Sequence, residues 1–127
     1  MTVKTIIPTE SAEQRTLFEW AALQSKRYPE LHLLHAIANG GFRHKATAGR
    51  LKAEGVKAGV PDLSLPVARG GYHGLYIELK RQKGGKASDG QKAWLEALSK
   101  QGYCAVICNG WHEASEAILR YLKIQGG

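Results

Sequence analysis

The order of the predicted elements in this 127-residue chain indicates an α/β fold, in which helices cover both faces of one mixed sheet. Three observations predict it. The length suits one compact domain with a single core, helical and strand-like hydrophobic patterns alternate along the chain, and no repeat or linker interrupts them. The expected order is α-β-α-β-β-α-β-α. We expect residues 1–127 to form one domain, with 1–10 as a flexible N-terminal arm.

The first half of the chain predicts helices separated by a short strand. Ser11 and Gln14 have the spacing of a capping box, in which two side chains satisfy the first amides of a helix. The segment LHLLHAI has a strand-like composition, and a glycine pair follows it. In order, the expected elements are a helix over 12–27, a strand over 31–37, a turn at 39–41 and a basic helix over 43–54.

The second half predicts a hairpin and then alternating helices and strands. A glycine-containing loop, 68–71, joins the hairpin strands, and Ser88 is a good cap for the helix that follows a lysine- and glycine-rich loop. The expected elements are strands over 61–67 and 72–80, a helix over 89–101, a strand over 103–109 and a last helix opened by Trp111 and His112.

The charge of the chain favours a polyanionic partner. The net charge is +7 and the pI about 9.6. Segment 43–57 has five basic residues against one glutamate, and segment 78–92 has five against two acidic residues. No apolar run approaches the roughly 18 residues that span a bilayer, so we expect a cytoplasmic protein without membrane contact. Cys104 and Cys108 share one face of a predicted strand, where we expect them to be buried and not disulfide-bonded.

Two neighbouring predicted strands bring two acids and a lysine together. Successive strand residues point to opposite faces, so Glu78 and Lys80 share one face. Pro61 lacks an amide hydrogen and is typical of a strand start or bulge. If the two strands pair through the loop 68–71, Asp62 and Glu78 converge. Two carboxylates at one point suit Mg²⁺ or Mn²⁺, which prefer oxygen ligands.

These residue types are the ones that phosphodiester hydrolysis requires: a nucleophile made from water, positive charge near the phosphate, and help for the leaving alkoxide. A metal held by Asp62 and Glu78 would lower the pKa of water, and Lys80 would orient that water or stabilise the transition state. Taken alone, an E-x-K pair is usually an exposed ion pair worth about 0 to 1 kcal/mol, and Asp62 alone would be an ordinary turn residue.

The stretch GVKAGVPDLSLPVARGGYHGLYIELKRQKGG, with QKAWL further on, resembles the VRR-NUC (virus-type replication-repair nuclease) family in its stand-alone phage and bacterial form. P-D-L followed by I-E-L-K matches the signature of the PD-(D/E)xK nuclease superfamily. The resemblance implies a restriction-endonuclease-like core and a Mg²⁺-dependent endonuclease in which Mn²⁺ substitutes, in the cytoplasm of a bacterial cell or a phage-infected host. Stand-alone members are similar to Holliday-junction resolvases and act as homodimers.

The resemblance also implies roles for individual residues. Asp62 and Glu78 match the metal-binding acids, and Lys80 matches the catalytic lysine. All three belong to the catalytic set. Gln91 matches a supporting polar residue in the following helix. The backbone carbonyl of Leu79 is a further expected metal ligand.

The family usually adds a glutamate from the first helix, and the helical register selects Glu13. At 100° per residue, Glu13 lies in the middle of the stripe of residues that would pack on the sheet, whereas Glu19 lies well off it. Glu13 is therefore expected to face the sheet and the metal. The alternative is a first-turn carboxylate that stabilises the helix dipole by about 0.3 to 1 kcal/mol.

Basic residues near this site are candidates for DNA contacts, each adding a salt-dependent, sequence-independent increment to binding. The loop RQKGGK is the strongest candidate, because it follows Lys80 directly and its glycines let the backbone approach phosphate. The candidates are Arg43, His44, Lys45, Arg50, Lys57, Arg81, Lys83 and Lys86.

The leading hypothesis is a metal-dependent, structure-selective endonuclease that resolves Holliday junctions, or cuts other branched or double-stranded DNA, as a homodimer. Two alternatives remain open: a monomeric flap or nicking nuclease, and a DNA-binding accessory module without activity. The intact acid, acid and lysine set argues against the module, since a pure binder gains nothing from carboxylates next to phosphate.

Overall fold

The computed structural model describes residues 6–38 and 45–126, without the side chains of 45 and 46, and it confirms the predicted α/β class. Among these residues one four-stranded sheet has the order β1-β2-β3-β4; β3 and β4 are parallel and the other neighbours antiparallel. The helices are α1 (Glu10–Gln24), α2 (Lys45–Ala53), α3 (Asp89–Lys100) and α4 (Trp111–Leu122). The strands are β1 (His35–Ala36), β2 (Leu63–Leu65), β3 (Leu75–Lys80) and β4 (Cys104–Asn109).

The two faces of β3 carry different side chains, and this difference separates the core from the polar site. Ile77 and Leu79, each 1% exposed, belong to the main apolar core together with Ile118 of α4. Burying a leucine or isoleucine in this way contributes about 1.5 to 3 kcal/mol. Glu78 and Lys80 point to the opposite face, where α3 contacts Glu78. The apolar face therefore anchors the strand that carries the polar residues.

The start of α1 differs from the predicted one. Thr9, not Ser11, caps the helix: its hydroxyl accepts a hydrogen bond from the Ala12 amide at 3.1 Å, and its backbone has the extended conformation that a cap requires. The helix ends at Gln24 rather than near residue 27. Glu10 therefore belongs to the helix and not to the predicted arm, whose first five residues lie outside the described part of the chain.

The strand predicted over 31–37 is largely wrong. Pro29–Leu33 forms a 3-10 helix, and only His35 and Ala36 pair with β2. Proline is favoured at the first position of such a helix, because the amide hydrogen that it lacks has no partner there. A short apolar run suits a buried helical turn as well as a strand, so composition did not distinguish the two. The turn predicted at 39–41 lies outside the described residues.

The second half of the chain agrees closely with the prediction. The helix over 89–101 and the strand over 103–109 are found within one residue of their expected bounds, as α3 and β4. The hairpin strands are shorter than expected, since β2 covers only Leu63–Leu65. Beyond them, an isolated bridge between Arg69 and Tyr72 closes the turn.

Two expectations from composition can be compared with the fold. Cys108 is buried, and burial raises its pKa to about 12; Cys104 is half-buried, and burial raises its pKa as well. Both thiols are free, as predicted. No helix within residues 6–38 and 45–126 has the length and apolar character that a bilayer crossing requires.

Candidate active site

The strand register brings Asp62 opposite Glu78. In the antiparallel pair of β2 and β3, Leu63 lies opposite Ile77, and continuing the register by one residue puts Asp62 beside Glu78. The Asp62 side chain also reaches β3, where its Oδ2 accepts a hydrogen bond from the Leu79 amide at 2.8 Å. Asp62 is therefore fixed to β3 and does more than end a turn.

Pro61 leaves a backbone carbonyl of β3 without its usual donor. The same register puts Pro61 opposite Leu79. The amide and carbonyl of Leu79 point toward β2, as the bond from that amide to Asp62 indicates. Asp62 satisfies the amide, but proline has no N–H to donate to the carbonyl. The Leu79 carbonyl, which is the predicted backbone ligand of the metal, thus lies on the side of β3 where Asp62 is placed.

Glu78 is a buried carboxylate whose two oxygens have different surroundings. Oε2 accepts a hydrogen bond from Gln91 Nε2 at 3.0 Å and lies 3.3 Å from Lys80 Nζ. Oε1 is buried and has no hydrogen-bond partner among the described residues. Leaving a buried acceptor unsatisfied costs about 1 to 3 kcal/mol, and such atoms are rare in native proteins. The orphaned oxygen is where a cation would be expected to bind.

Burial raises the pKa of Glu78 from 4.5 to about 8. Loss of hydration is the largest cause, repulsion by Asp62 adds to it, and attraction to Lys80 opposes both. The two carboxylates are so close that ionising both is unfavourable unless positive charge is added. A hard divalent cation adds that charge and prefers oxygen ligands, so Asp62 and Glu78 fit Mg²⁺ or Mn²⁺.

Without divalent metal, we expect the free energy of unfolding to fall as the pH rises from about 4.5 to about 8. Below this window Glu78 is protonated in both states. Within it, the unfolded chain releases the proton while the folded chain keeps it, so a rising pH favours unfolding. Urea unfolding in EDTA, repeated between about pH 5 and pH 9, measures the effect. Glu78→Gln cannot ionise and should lose this component; equal slopes for both proteins would contradict the raised pKa.

Lys80 places a buried ammonium group beside Glu78. Its side chain is 8% exposed, and its backbone carbonyl accepts a hydrogen bond from the Gly110 amide at 2.7 Å. The loop after Lys80 folds back against it: a Cβ on Gly85 would lie 3.2 Å from Lys80 Cβ and 3.1 Å from Arg81 Cγ, closer than ordinary contacts. Glycine therefore allows the basic loop to pack against the lysine.

Gln91 combines two contacts. Its Oε1 accepts a hydrogen bond from the Ser88 amide at 2.8 Å, which completes the capping box of α3, while its Nε2 donates to Glu78. The capping bond fixes the orientation of the amide, so Gln91 presents a donor to Glu78. The sequence indicated a supporting residue here, but not that the cap of α3 would orient it.

Glu13 faces the interior, as its register predicts, and it contacts the start of α4. The side chain is buried, whereas Glu19 is exposed. Oε1 accepts a hydrogen bond from the Trp111 amide at 3.1 Å. No side chain at the start of α4 caps this helix, so Glu13 provides a carboxylate at the positive end of α4. Gly110 precedes the helix with φ of 89°, which residues with a side chain rarely adopt, and a Cβ there would lie only 2.9 Å from Gln82 Cγ.

Sequence reasoning missed the contact between Glu13 and α4. The available signal was Gly110, which stands where a Ser, Thr, Asp or Asn would normally cap a helix. The second oxygen of Glu13 is buried without a partner in the described part of the chain. That part contains no group of three His, Cys, Asp or Glu side chains placed to hold a metal ion. Asp62 and Glu78 are thus a pair, and Glu13 as a third ligand stays a prediction.

The candidate DNA contacts are only partly described. Arg43 and His44 lie outside the described residues, as does the side chain of Lys45. Exposure makes the remaining side chains accessible to phosphate, and their roles stay predictions. The exposed candidates are Arg50, Lys57, Arg81, Lys83 and Lys86.

Comparisons with known proteins identify the family of the chain. The family model of the VRR-NUC domain matches residues 8–112. A solved structure of a VRR_NUC domain protein is 35% identical to this chain and has a TM-score of 0.77; the match covers 96% of this chain and 93% of that one. No curated protein matches the chain. Because the family model matches most of the chain, and the solved structure of the same family is 35% identical over 96% of it, the chain belongs to the VRR-NUC family of nuclease-type domains.

Proposed function

We propose that this protein is a Mg²⁺-dependent endonuclease, with Mn²⁺ as a substitute, that hydrolyses phosphodiester bonds in branched DNA. The substrate that we propose is the Holliday junction, cut by a homodimer. The observation that carries the proposal is the cluster of Asp62, Glu78 and Lys80. Glu78 lies on β3 and Asp62 directly precedes the adjacent strand β2. One oxygen of Glu78 is buried without a partner among the described residues, and a buried ammonium group lies 3.3 Å from its other oxygen.

Asp62 and Glu78 would hold the cation, with the carbonyl of Leu79 as a backbone ligand. When bound, the cation supplies positive charge next to the scissile phosphate and lowers the pKa of water. The protein keeps these ligands in place: the Leu79 amide fixes Asp62, and Gln91 fixes Glu78. Both contacts come from backbone or capped groups, so little reorganisation is needed when substrate arrives.

Lys80 would act on the attacking water and on the charge that develops at the phosphate. Its ammonium group is held by burial and by Glu78, and it therefore presents a fixed positive charge on the face where the acids lie. Because it is almost fully buried, it is poorly placed to attract DNA from a distance. We assign that task to the exposed basic residues of the loop that follows it, which includes Lys83 and Lys86.

A homodimer suits this substrate because a four-way junction has twofold symmetry, and a twofold dimer presents two equivalent sites for paired cuts. The comparisons support a nuclease-type domain; that its substrate is a junction and that it acts as a dimer is what we propose.

The test is incubation of an end-labelled synthetic junction with the protein, in Mg²⁺, in Mn²⁺ and in EDTA. Symmetrical paired cuts in Mg²⁺, absent in EDTA, would support the proposal. A linear duplex of the same sequence is the substrate control. A single cut in a flap substrate with an intact junction would favour a monomeric flap nuclease. Junction binding without cleavage in either metal would favour a DNA-binding module.

A further inference from the structure

β4 forms an open edge of the sheet. Among the described residues it pairs with β3 alone. The Cys104 amide donates to the Gly74 carbonyl at 2.9 Å, and the Gly110 amide donates to the Lys80 carbonyl at 2.7 Å. The amides and carbonyls of the even-numbered residues of β4 therefore point toward β3, and those of the odd-numbered residues point away from it. The outward-facing residues are Ala105, Ile107 and Asn109.

This edge lacks the features by which proteins usually prevent strand pairing, namely charge, proline, a bulge or a very short strand. The other edge of the described sheet, β1, has two residues. β4 has six in unbroken register with β3, and the run from Gln101 to Trp111 contains no charged residue. Ile107, at the centre of the edge, is 39% exposed.

We infer that β4 pairs antiparallel with β4 of a second copy of the chain, so that two sheets join into one across a twofold axis. The inference rests on the proposed function, which includes a homodimer, and it identifies the surface through which that dimer forms. The open edge selects a second copy as the occupant, because its free backbone groups can pair with those of an identical strand. The net charge of +7 makes two copies repel each other, and an uncharged contact segment adds no close pairs of like charges to that repulsion. β4 is such a segment, and an antiparallel strand is complementary to itself.

The pairing satisfies the free backbone groups of the edge. With the axis at Ile107, its amide and carbonyl bond to Ile107 of the partner subunit, and Ala105 bonds to Asn109 of the partner subunit. A cavity of about 250 Å³ lies beside β4 on its other face, and the second copy would help to cover it. The cavity is lined mainly by apolar side chains: Leu75, Cys104, Val106, Ala117, Tyr121 and Ile124, with Arg120.

The arrangement has a consequence for the two candidate sites. The twofold axis of an antiparallel strand pair is perpendicular to the sheet, so the same face of both sheets points to the same side. Glu78 lies beside Ile107 in the register. Three strand spacings then separate the two copies of β3, which is about 14 Å. Both sites would lie on one side of the dimer, where one twofold-symmetric DNA can reach them.

The test is the mass of the full chain in solution, measured by light scattering after gel filtration or by sedimentation at micromolar concentrations. Wild type should have the mass of two chains. Ile107→Lys puts two positive charges on the axis and should reduce the mass to that of one chain. Leu33→Lys is the matched control: it also adds a lysine at an exposed apolar position, 50% exposed and away from β4, and should stay dimeric.

Circular dichroism establishes that each variant folds, and Asn109→Lys, at an exposed position of the same edge, replaces Ile107→Lys if the latter unfolds. A monomeric wild type, or a folded edge variant that stays dimeric, would overturn the inference. The mass does not depend on cleavage, so a β4 dimer that fails to cut any junction counts against the proposed function alone.

Discussion

Lys80→Met is expected to lower the rate of junction cleavage by at least about 100-fold while leaving junction affinity within about twofold. Removing one preorganised group that stabilises transition-state charge typically costs 10²- to 10³-fold. Junction binding should persist because Lys80 is buried beside Glu78 and is not exposed at the protein surface. Methionine keeps a long unbranched side chain, and the bond from Gln91 continues to hold Glu78.

Measuring the cleavage rate and the junction affinity of each variant separates catalysis from binding. Single-turnover cleavage in Mg²⁺ gives the rate, and a gel-shift titration in Ca²⁺ or EDTA gives the affinity. Lys83→Met is the matched control, because it removes an exposed lysine three residues further on; it should weaken binding modestly, by a salt-dependent amount, and leave the single-turnover rate at saturating protein unchanged. Equal losses of rate and affinity in Lys80→Met would mean that the lysine supports the fold or binds DNA.

Asp62→Asn is expected to abolish metal-dependent cleavage and to weaken Mn²⁺ binding by more than tenfold. Asparagine keeps an oxygen that can accept the hydrogen bond from the Leu79 amide, so the local structure should persist. It removes one of the two charges that would hold the cation. Without metal, the affinity for DNA should rise about two- to fivefold. A unit charge near a phosphate contributes about 1 kcal/mol of repulsion in water at 4 Å.

Calorimetric titration with Mn²⁺ provides a measurement that does not depend on activity. Asp89→Asn, which removes an exposed carboxylate from the first turn of α3, serves as the control and should leave the metal affinity unchanged. Normal Mn²⁺ binding by Asp62→Asn would exclude Asp62 as a ligand. Loss of DNA binding in EDTA would indicate that the aspartate is needed for folding instead.

The site illustrates how far local sequence reasoning extends. Glu78 and Lys80 share a face because strand side chains alternate, and this holds in any β-strand. Asp62 joins them because a short hairpin brings adjacent strands into register. The same reasoning failed for the segment LHLLHAI, where a short apolar run did not distinguish a strand from a helical turn that begins at Pro29. It also chose Ser11 as the cap of α1, because Ser11 and Gln14 have the spacing of a capping box, whereas the cap used is Thr9, which has alanine three residues later.

The sequence by itself determined the fold class and the gathering of two acids and a lysine, because both follow from periodicity and spacing along the chain, and its motifs carried the family resemblance. Only the tertiary structure decided the contacts between distant segments. Glu13 meets the α4 amide 98 positions away, the cap of α3 orients Gln91 toward Glu78, and β4 ends the described sheet as an uncharged edge. These contacts depend on how helices and strands pack against one another, and no local pattern along the chain specifies that packing.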